Sequence, residues 1–401
     1  MNTDLAALVA ERLTGLLPRR DGRERATTLG AGGYDIEAGR AYLAATVNDG
    51  LALPTWPRRY GGRDATRAEA AEIAEATKQF VVPDLYPFRV GTNMAGPVLL
   101  ELGTVEQRDR WVHNMASGAE IWCQMFSEPE AGSDLANVAM TAVRDGDGWR
   151  LNGQKVWTSR GEYADWGICL TRTNPDVPKH DGLTMFALDM RAPGVDVRPL
   201  VQMNGDSHFS EVFVDDAFVP DAQRLGEVDG GWAITLAVLA HERAGADRST
   251  PTVGGSTIPL WLSKMMSSPA LREPVLRDRA VRLYCCDEAI RLTQLRSAAN
   301  LRAGRKPGPE GSGMKLNGAR SFKERAQLQA AVAGASAMLV DFDGHVDLLT
   351  APSMSIRGGT DEIQQNILGE RVLGLPPEPR ADRAVSWAVS RRGTTSNNQG
   401  E

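Results

Sequence analysis

The sequence of 401 residues is short of cysteine, and its four cysteines form no recognisable pattern. Cys123, Cys169, Cys285 and Cys286 include no C-x-x-C pair, and no histidine lies at a spacing that suits zinc. A disulfide-built extracellular domain and a zinc-binding module are therefore disfavoured. We expect a reducing, cytoplasmic setting and no metal site.

Long apolar runs and blocks of positive charge are also missing. No apolar stretch reaches the roughly 18–20 residues that a membrane-spanning helix needs. Residues 1–20 have the spacing of an amphipathic helix rather than that of a signal peptide. The formal net charge is -6, and no cluster of lysine and arginine suggests a nucleic-acid surface. We therefore expect no membrane span and no nucleic-acid partner.

No G-x-G-x-x-G segment follows a predicted strand, and strands do not alternate with helices, which disfavours a doubly wound nucleotide-binding fold. Instead, helical periodicity in residues 1–120 gives way to short β-branched and aromatic runs in 121–228 and returns in 229–390. The polar stretch 391–401 is expected to be disordered. These patterns predict an α+β protein with an N-terminal helical domain, a central β-sandwich or β-barrel domain and a C-terminal helical bundle.

The predicted elements lie at definite positions in each region. In the first region, helices are expected at 68–79 and 98–115. About seven strands are expected in the second, at 121–127, 140–144, 149–156, 167–172, 183–189, 195–200 and 211–214. Helices follow at 232–246, 271–302, 316–339 and 361–373, with a Gly- and Pro-rich loop at 302–313.

The stretch FSEPEAGSD at 126–134 ends the first predicted strand. Pro129 and Gly132 stop the strand, and the turn exposes backbone N–H groups beside the hydroxyls of Ser127 and Ser133. Such a turn suits the anionic oxygens of a phosphate or of a flavin pyrimidine. An ordinary surface loop, in which Ser133 or Asp134 caps a helix, would have the same composition.

A second stretch, LNGQKVWTS at 151–159, ends another predicted strand. It delivers an aromatic ring, Trp157, followed at once by the hydroxyls of Thr158 and Ser159. This arrangement can cover one face of a flat cofactor and hydrogen-bond its polar edge. A tryptophan packed in a core or an interface is the alternative.

Together these two stretches resemble the acyl-CoA dehydrogenase family, in which matching loops hold FAD. The similarity runs from about residue 5 to about residue 378 and includes Gly96-Pro97, Gly230-Gly231-Trp232 and the run 359–364. The resemblance implies a helix–β–helix fold and an FAD cofactor. It assigns to cofactor binding Phe126, Ser127, Gly132, Ser133, Trp157, Thr158, Ser159, Thr360 and Glu362.

The reaction that the resemblance implies is α,β-dehydrogenation of an acyl thioester, in which a base removes the α-proton and the flavin accepts the β-hydride. Many relatives carry this base as a glutamate just before the last helix, where this sequence has Gly358. A smaller branch carries it on an earlier helix before an arginine, and here Glu242 precedes Arg243. Helical spacing puts Glu242 on one stripe with Thr235 and Leu239. We predict that Glu242 is the base; a surface ion pair with a lysine or arginine is the alternative.

By the same resemblance, the backbone N–H of Gly358 binds the thioester oxygen, a contact that can be worth about 3 kcal/mol. The absent side chain leaves volume where the acyl chain would pass, which favours a branched, cyclic or bulky acyl group. Leu239 and Arg243 are predicted to line the substrate tunnel, although Arg243 could instead form a structural ion pair. His241 is expected to be packed or at the surface, without a chemical role.

Two cofactor motifs of the family are missing. Arg-x-x-Phe-Gly is absent from 295–309 and Gln-x-x-Gly-Gly from 331–336, so the half of the FAD site that a neighbouring subunit supplies is altered. Weaker FAD binding, another arginine in place of the missing one, and a different subunit that completes the site are the three alternatives. The expected partners are an acyl-CoA and an electron-transfer flavoprotein or similar acceptor. The expected assembly is a homodimer or homotetramer, or a mixture with a homologous subunit.

Three other interpretations keep the same fold. The substrate could be an acyl group on a carrier protein of secondary metabolism. A flavin monooxygenase or oxidase usually lacks a carboxylate base, so Glu242 argues against that class. A catalytically silent partner subunit would be colourless and would bind a homologous chain.

Overall fold

The computed structural model describes residues 3–20, 35–244 and 258–392, except 304, 306, 307, 310, 340, 341 and 381. Helices come first in this part of the chain: α1 (Thr3–Leu13), α2 (Ile36–Thr46), α3 (Arg67–Thr77), α4 (Gly96–Leu102) and α5 (Val105–Ala116). The strands that follow are β1 (Trp122–Met125), β2 (Thr141–Asp145), β3 (Gly148–Ser159), β4 (Trp166–Arg172), β5 (Leu183–Asp189), β6 (Val195–Leu200), β7 (Phe209–Pro220) and β8 (Arg224–Leu225). Helices then return: α6 (Gly231–Ala244), α7 (Leu260–Met266), α8 (Pro274–Arg302), α9 (Gly311–Ala333), α10 (His345–Thr350), α11 (Asp361–Ile367) and α12 (Trp387–Arg392). The predicted fold class, helical, then β, then helical, is confirmed.

The helix predicted at 98–115 is two helices, α4 and α5. Gly103 ends α4 in an extended conformation, and Thr104 is the N-cap of α5. Thr104 Oγ1 accepts from the N–H of Gln107 at 3.2 Å, and Gln107 Oε1 accepts from the N–H of Thr104 at 3.1 Å. This capping box satisfies N–H groups that a new helix leaves without partners, so the break is stable although the apolar periodicity continues through it.

The strands form one hydrogen-bonded sheet in the order β6-β7-β3-β2-β4-β5-β8, with β1 parallel to β4. A single bridge, Thr141 to Arg172, joins β2 to β4, so the sheet divides into the halves β6-β7-β3-β2 and β1-β4-β5-β8. The ring of Trp149 on β3 lies 5.5 Å from that of Phe186 on β5. The two halves therefore pack face to face as a β-sandwich.

Two strands differ from their predicted extent. Strand β7 is far longer than the predicted 211–214, because Asp215 and Asp216 continue the strand with their side chains exposed. Strand β8 has only two residues, which is too few for a pattern. It pairs with β5 through Met185 and Phe186.

Two large apolar clusters lie on opposite faces of β4 and β5. One lies between the two halves of the sheet, extends to helices α1, α2 and α3, and includes Leu151 and Phe186. The other lies between the outer face of this pair and helices α4, α5 and α6, and includes Trp111, Ile168 and Val238. Strand β4 is consequently buried along its whole length, which explains why its sequence is apolar without alternation.

The C-terminal helices have different ends from those predicted. Helix α8 is continuous over 29 residues. Helix α9 begins at Gly311, so the loop prediction for 302–313 was wrong from there on, because the first turn of a helix tolerates glycine. It ends at Ala333, where Gly334 has a φ of 58° and a 3-10 turn takes over.

Helices α11 and α12 near the C-terminus also differ from the predicted elements. Helix α11 stops at Ile367 and continues as a π turn, Leu368–Val372, in place of the predicted helix to 373. Helix α12 reaches into the tail that was expected to be disordered, which is wrong for residues 391 and 392. Residues 393–401, and 245–246 of the predicted helix 232–246, lie outside the described residues. In the described part of the chain, no helix is long and apolar enough to cross a membrane.

Candidate active site

The two sequence stretches predicted to bind a cofactor lie side by side. The N–H of Val156 donates to the carbonyl oxygen of Ser127 at 2.9 Å. Lys155 Nζ donates to the carbonyl oxygen of Phe126 at 3.0 Å. These bonds join the end of β1 to the end of β3, although the two strands belong to different halves of the sheet.

A buried ion pair fixes the loop that follows β1. The side chain of Lys155 is fully buried, and its Nζ lies 2.9 Å from Oε1 of Glu128. The carboxylate of Glu128 also accepts from the N–H groups of Ala139 and Met140, at 2.6 and 2.9 Å. A buried carboxylate needs such partners. Here they tie together the two ends of the segment that follows β1, residues 127–138, which we call the 127–138 loop.

Trp157 is exposed at a break in β3. The pairing of β3 with β7 slips between Lys155 and Thr158, and Trp157 in this bulge has a φ of 60°. Positive φ is strained for a bulky residue, and such strain concentrates at functional sites. Trp157 is 58% exposed, and its ring is nearly perpendicular to that of Phe209, with the ring centroids 5.7 Å apart. An aromatic face is thus presented next to the half-buried hydroxyl of Ser159.

Phe126 and Thr158, both predicted cofactor residues, have buried side chains. Phe126 packs in the cluster shared with the helices. Thr158 is fully buried beside Ser210 on β7, and its hydroxyl has no hydrogen-bond partner among the described residues. Both residues are thus buried as a whole in the structure, and their predicted contacts with a cofactor stay predictions.

Gly132 and Ser133 are exposed at the other end of the loop, where Ser133 borders a cleft of about 930 Å³. Its walls come from the loop, the β4–β5 connection, α6, α11 and the C-terminal segment, and include Ser133, Asp134, Lys179, His180, Trp232, Ile363, Glu370, Arg371, Glu378, Arg380, Asp382 and Arg383. His180 and Trp232 meet edge to face at 4.8 Å, which joins the β domain to α6. Burial lowers the pKa of His180, and the neighbouring Lys179 adds to that effect. A cleft of this size can hold a large part of a dinucleotide.

Helix α6 carries the predicted base. Thr235 is fully buried, with its hydroxyl donating to the carbonyl oxygen of Gly231 at 2.9 Å. Leu239 packs on the core, and Glu242 is half-buried in the last turn. His241 lies 3.1 Å from Glu101, on an exposed part of the helix. The side chain of Arg243 is outside the described residues, so its predicted role stays a prediction.

The segment before α11 contains the other predicted site residues. Gly358 is exposed with a φ of 66°, and its carbonyl oxygen accepts from Gln364 Nε2 at 3.1 Å. Thr360 caps α11, its hydroxyl accepting from the N–H of Ile363 at 3.2 Å. Glu362 is exposed in the first turn of α11.

A buried polar cluster next to this region was not predicted from the sequence. His208 is 1% exposed, and its Nδ1 lies 2.9 Å from Asp206 and 2.8 Å from Gln202. Burial lowers the pKa of His208, and the hydrogen bond to Asp206 opposes that effect. The backbone of Arg160 has a left-handed conformation. Its guanidinium lies 5.3 Å from the centroid of the Tyr86 ring. In the sequence, the one sign of this cluster is that a charged residue, Arg160, directly follows Thr158 and Ser159.

The residues present fit FAD. An exposed aromatic face at Trp157 suits a flat ring system. Backbone at Phe126 and hydroxyls at Ser127 and Ser159 can meet its polar edge, and the cleft at Ser133 can take its phosphates. The roles of the individual residues stay predictions.

Three family models match consecutive parts of the chain. The model of the acyl-CoA dehydrogenase N-terminal domain matches residues 31–119, that of the middle domain 123–217, and that of the C-terminal domain 229–373.

Individual proteins are similar over most of the chain. The acyl-CoA dehydrogenase FadE34 of Mycobacterium tuberculosis is 41% identical over 334 residues, which are 83% of this chain but only 46% of FadE34. The acyl-CoA dehydrogenase IpdE1 of the same organism is 34% identical over 360 residues, covering 88% of this chain and 92% of IpdE1. The solved structure of the Tcur3481-Tcur3483 steroid ACAD matches with a TM-score of 0.73 at 26% identity, covering 94% of this chain and 98% of that one. The chain belongs to the acyl-CoA dehydrogenase family of FAD-dependent oxidoreductases.

Proposed function

We propose that this member of the acyl-CoA dehydrogenase family converts an acyl-CoA to the trans-2-enoyl thioester, with Glu242 as the base that takes the α-proton. The observation that carries the proposal is the strained, exposed Trp157, held next to the 126–134 loop by the buried Lys155–Glu128 pair. Bound FAD would supply the acceptor for the β-hydride. The loop backbone and the hydroxyls of Ser127, Ser133 and Ser159 would bind and orient it.

Two observations support Glu242 as the base. It is half-buried in the last turn of α6, about one helical turn after the apolar residues Val238 and Leu239. The position that carries the glutamate in many relatives is Gly358, which has no side chain to accept a proton. A half-buried carboxylate on a rigid helix can be held in place for proton abstraction. The N–H of Gly358 would polarise the thioester oxygen and so acidify the α-carbon.

The test is anaerobic bleaching of the visible flavin band by acyl-CoAs, with Glu242→Gln compared to the wild type. We expect the variant to retain FAD and to bleach roughly 10²–10⁴-fold more slowly, the range that general-base catalysis usually contributes. Glu101→Gln is the matched control, because Glu101 is exposed and pairs with the adjacent His241. Bleaching of Glu242→Gln at the wild-type rate would show that another group is the base.

The acyl group is proposed to be branched, cyclic or otherwise bulky. A Cβ built at Gly358 would have no atom within 4 Å, so the site is open there. The similar structure described as a steroid ACAD supports a ring-bearing substrate. We expect Gly358→Ala to lower kcat/KM for ring-bearing acyl-CoAs more than for straight-chain ones.

The control for this substitution is Gly146→Ala in the β2–β3 turn. Gly146 has a φ of 56° and equally open surroundings, so it carries the same backbone strain of about 1–2 kcal/mol without a site nearby. Equal losses for straight and ring-bearing substrates in Gly358→Ala would contradict the assignment of acyl volume to Gly358.

An electron-transfer flavoprotein or similar carrier is proposed as the electron acceptor, and an oligomer as the active form. The exposed apolar side chains Val281, Leu292 and Leu295 on α8 support an assembly through this helix. The joint name of Tcur3481-Tcur3483 suggests a third possible assembly, in which this chain combines with a homologous chain. This mixed assembly should be tested beside a homodimer and a homotetramer. Light scattering of the purified chain, alone and co-expressed with a homologous chain, distinguishes these assemblies.

A further inference from the structure

The chain after α11 packs against the β domain. We call residues 375–392 the C-terminal strap; it begins just beyond the region that matches the family's C-terminal domain model. Within it, the N–H of Trp387 donates to the carbonyl oxygen of Val177 at 2.8 Å, and that of Ala388 to Pro175 at 2.9 Å. The strap is therefore attached by its backbone to the connection between β4 and β5.

Trp387 links the strap to the 127–138 loop directly. Its Nε1 donates to Oδ1 of Asn137 at 2.9 Å. Asn137 closes the 3-10 turn at the end of that loop. A hydrogen bond from a half-buried indole to this turn restrains the end of the loop that starts at the predicted flavin contacts.

Trp387 also acts on the loop through Arg172. The guanidinium of Arg172 lies 4.9 Å from the centroid of the Trp387 ring and is 2% exposed. It donates to the carbonyl oxygens of Ala136 at 2.6 Å and of Lys179 at 2.8 Å. A desolvated cation over an indole face is among the stronger contacts of this kind. The tryptophan thus covers the guanidinium that joins the loop to the β4–β5 connection.

Ion pairs attach the strap to the same loop at two further points. Arg391 lies 2.8 Å from Glu130. Lys179 lies between Asp134 of the loop, at 2.9 Å, and Asp382 of the strap, at 2.6 Å. The hydrogen bond to Asn137 and these pairs restrain the loop at both sides of Ser133.

The strap also forms a wall of the cleft at Ser133. Pro377, Arg380 and Arg383 of the strap border this cleft together with Ser133 and Trp232. A group bound in the cleft would therefore lie between the loop and the strap. A movement of either wall would change how closely the cleft surrounds that group.

We propose that the C-terminal strap is a clamp that retains FAD, and that Trp387 is the residue through which it positions the 127–138 loop. The proposal rests on FAD use by the family and is independent of the assignment of Glu242. Because the strap belongs to the same chain as the loop, the retention it provides does not depend on a second subunit.

The test is the rate of FAD release from the holoenzyme without substrate, followed by the fluorescence of free FAD after dilution. We expect Trp387→Leu to accelerate release roughly tenfold or more, where each tenfold, at an unchanged association rate, corresponds to about 1.4 kcal/mol of binding free energy. Trp387→Phe keeps a ring over Arg172 but removes the N–H donor, so it should fall between Leu and the wild type. Val389→Ala is the control, because Val389 lies on the same short helix and is 43% exposed.

Thermal unfolding of the FAD-free proteins separates retention from general stability. An apo Tm for Trp387→Leu that changes no more than that of Val389→Ala, together with faster release, supports the clamp. Release at the wild-type rate in Trp387→Leu would overturn it. Because no substrate is present, these results do not depend on whether the proposed reaction is correct.

A second pair of variants keeps the proposal testable if Trp387→Leu does not fold. Asn137→Leu removes the acceptor of the indole hydrogen bond and can be combined with Trp387→Phe. If the bond carries the effect, the double variant releases FAD no faster than the faster single variant. Independent, multiplying effects of the two substitutions would show that the bond does not position the loop.

Discussion

Individual residues at the site obtain their positions from partners that lie elsewhere in the chain. Trp157 is presented to solvent because β3 slips against β7, and Ser127 is placed beside it by the N–H of Val156. Behind both lies the buried Lys155–Glu128 pair. Lysine is rarely fully buried, so a lysine in a strand suggests a surface position without a structural role. Only the packed sandwich makes this ion pair buried and structurally important.

His208 gives a prediction about pH at the residue scale. Burial holds the pKa of His208 below its usual 6.5, in spite of the opposing hydrogen bond with Asp206. The unfolded chain therefore takes up a proton at a higher pH than the folded one. The stability that neutral His208 contributes is present above about pH 6.5 and is lost as pH falls from there towards its folded pKa.

We expect His208→Gln to reduce the difference in unfolding free energy between pH 7.5 and pH 5.5, measured by urea denaturation of the FAD-free protein. His180 also has a lowered pKa and remains in this variant, so part of the wild-type dependence should persist. His345→Gln, which removes an exposed imidazole, is the control. An unchanged pH dependence in His208→Gln would contradict the burial argument.

At the scale of elements, the helix ends decide how the domains connect. The capping box at Thr104 separates α4 from α5. The side chain of Gln107, which completes the box, also hydrogen-bonds to the β domain. Its Nε2 donates to the carbonyl oxygens of Ala222 at 3.1 Å and of Arg224 at 2.7 Å. The side chain thus uses its oxygen for the helix start and its nitrogen for β8.

We expect Gln107→Leu to destabilise the protein by about 1–3 kcal/mol, because two carbonyl oxygens lose a part-buried donor. Thr66→Ala is the matched control: Thr66 heads a second capping box, with Glu69, that is exposed and serves only α3. Its loss should cost about 1 kcal/mol. Chemical denaturation with FAD present measures both. A cost for Gln107→Leu no larger than that for Thr66→Ala would show that the link to β8 adds little.

The whole molecule is organised around β4 and β5, which are buried on both faces. Helices α4, α5 and α6 pack on one side, and the rest of the sandwich packs on the other together with α1, α2 and α3. The cluster beneath α8 and α9 is much smaller, with Met265, Ala280, Leu283 and Leu328 as its buried members. Uneven burial of this kind predicts uneven local stability.

Hydrogen exchange of the purified chain should therefore be slowest in β4 and β5 and much faster in α8. Binding of a second subunit to α8 would cover Leu292 and Leu295 and should raise protection there without changing β4 or β5. Protection in α8 equal to that in β4 for a monomeric sample would contradict the proposed distribution of stability. Exchange measured below and above the concentration at which the chain associates separates the two effects.

The amino-acid sequence was enough to predict the order of helices and strands, the family, and the two stretches that meet at the site, because apolar periodicity and short motifs are local properties. The division of 98–115 by a capping box, the length of β7 and the start of α9 needed the structure, since each depends on neighbours that stabilise a local exception. Lys155, Glu128 and His208 were recognised as structurally important because they are buried, and the burial of a side chain cannot be read from the sequence. Most of all, the return of Trp387 to Asn137 joins residues that are 250 positions apart, and only tertiary packing brings such a pair together.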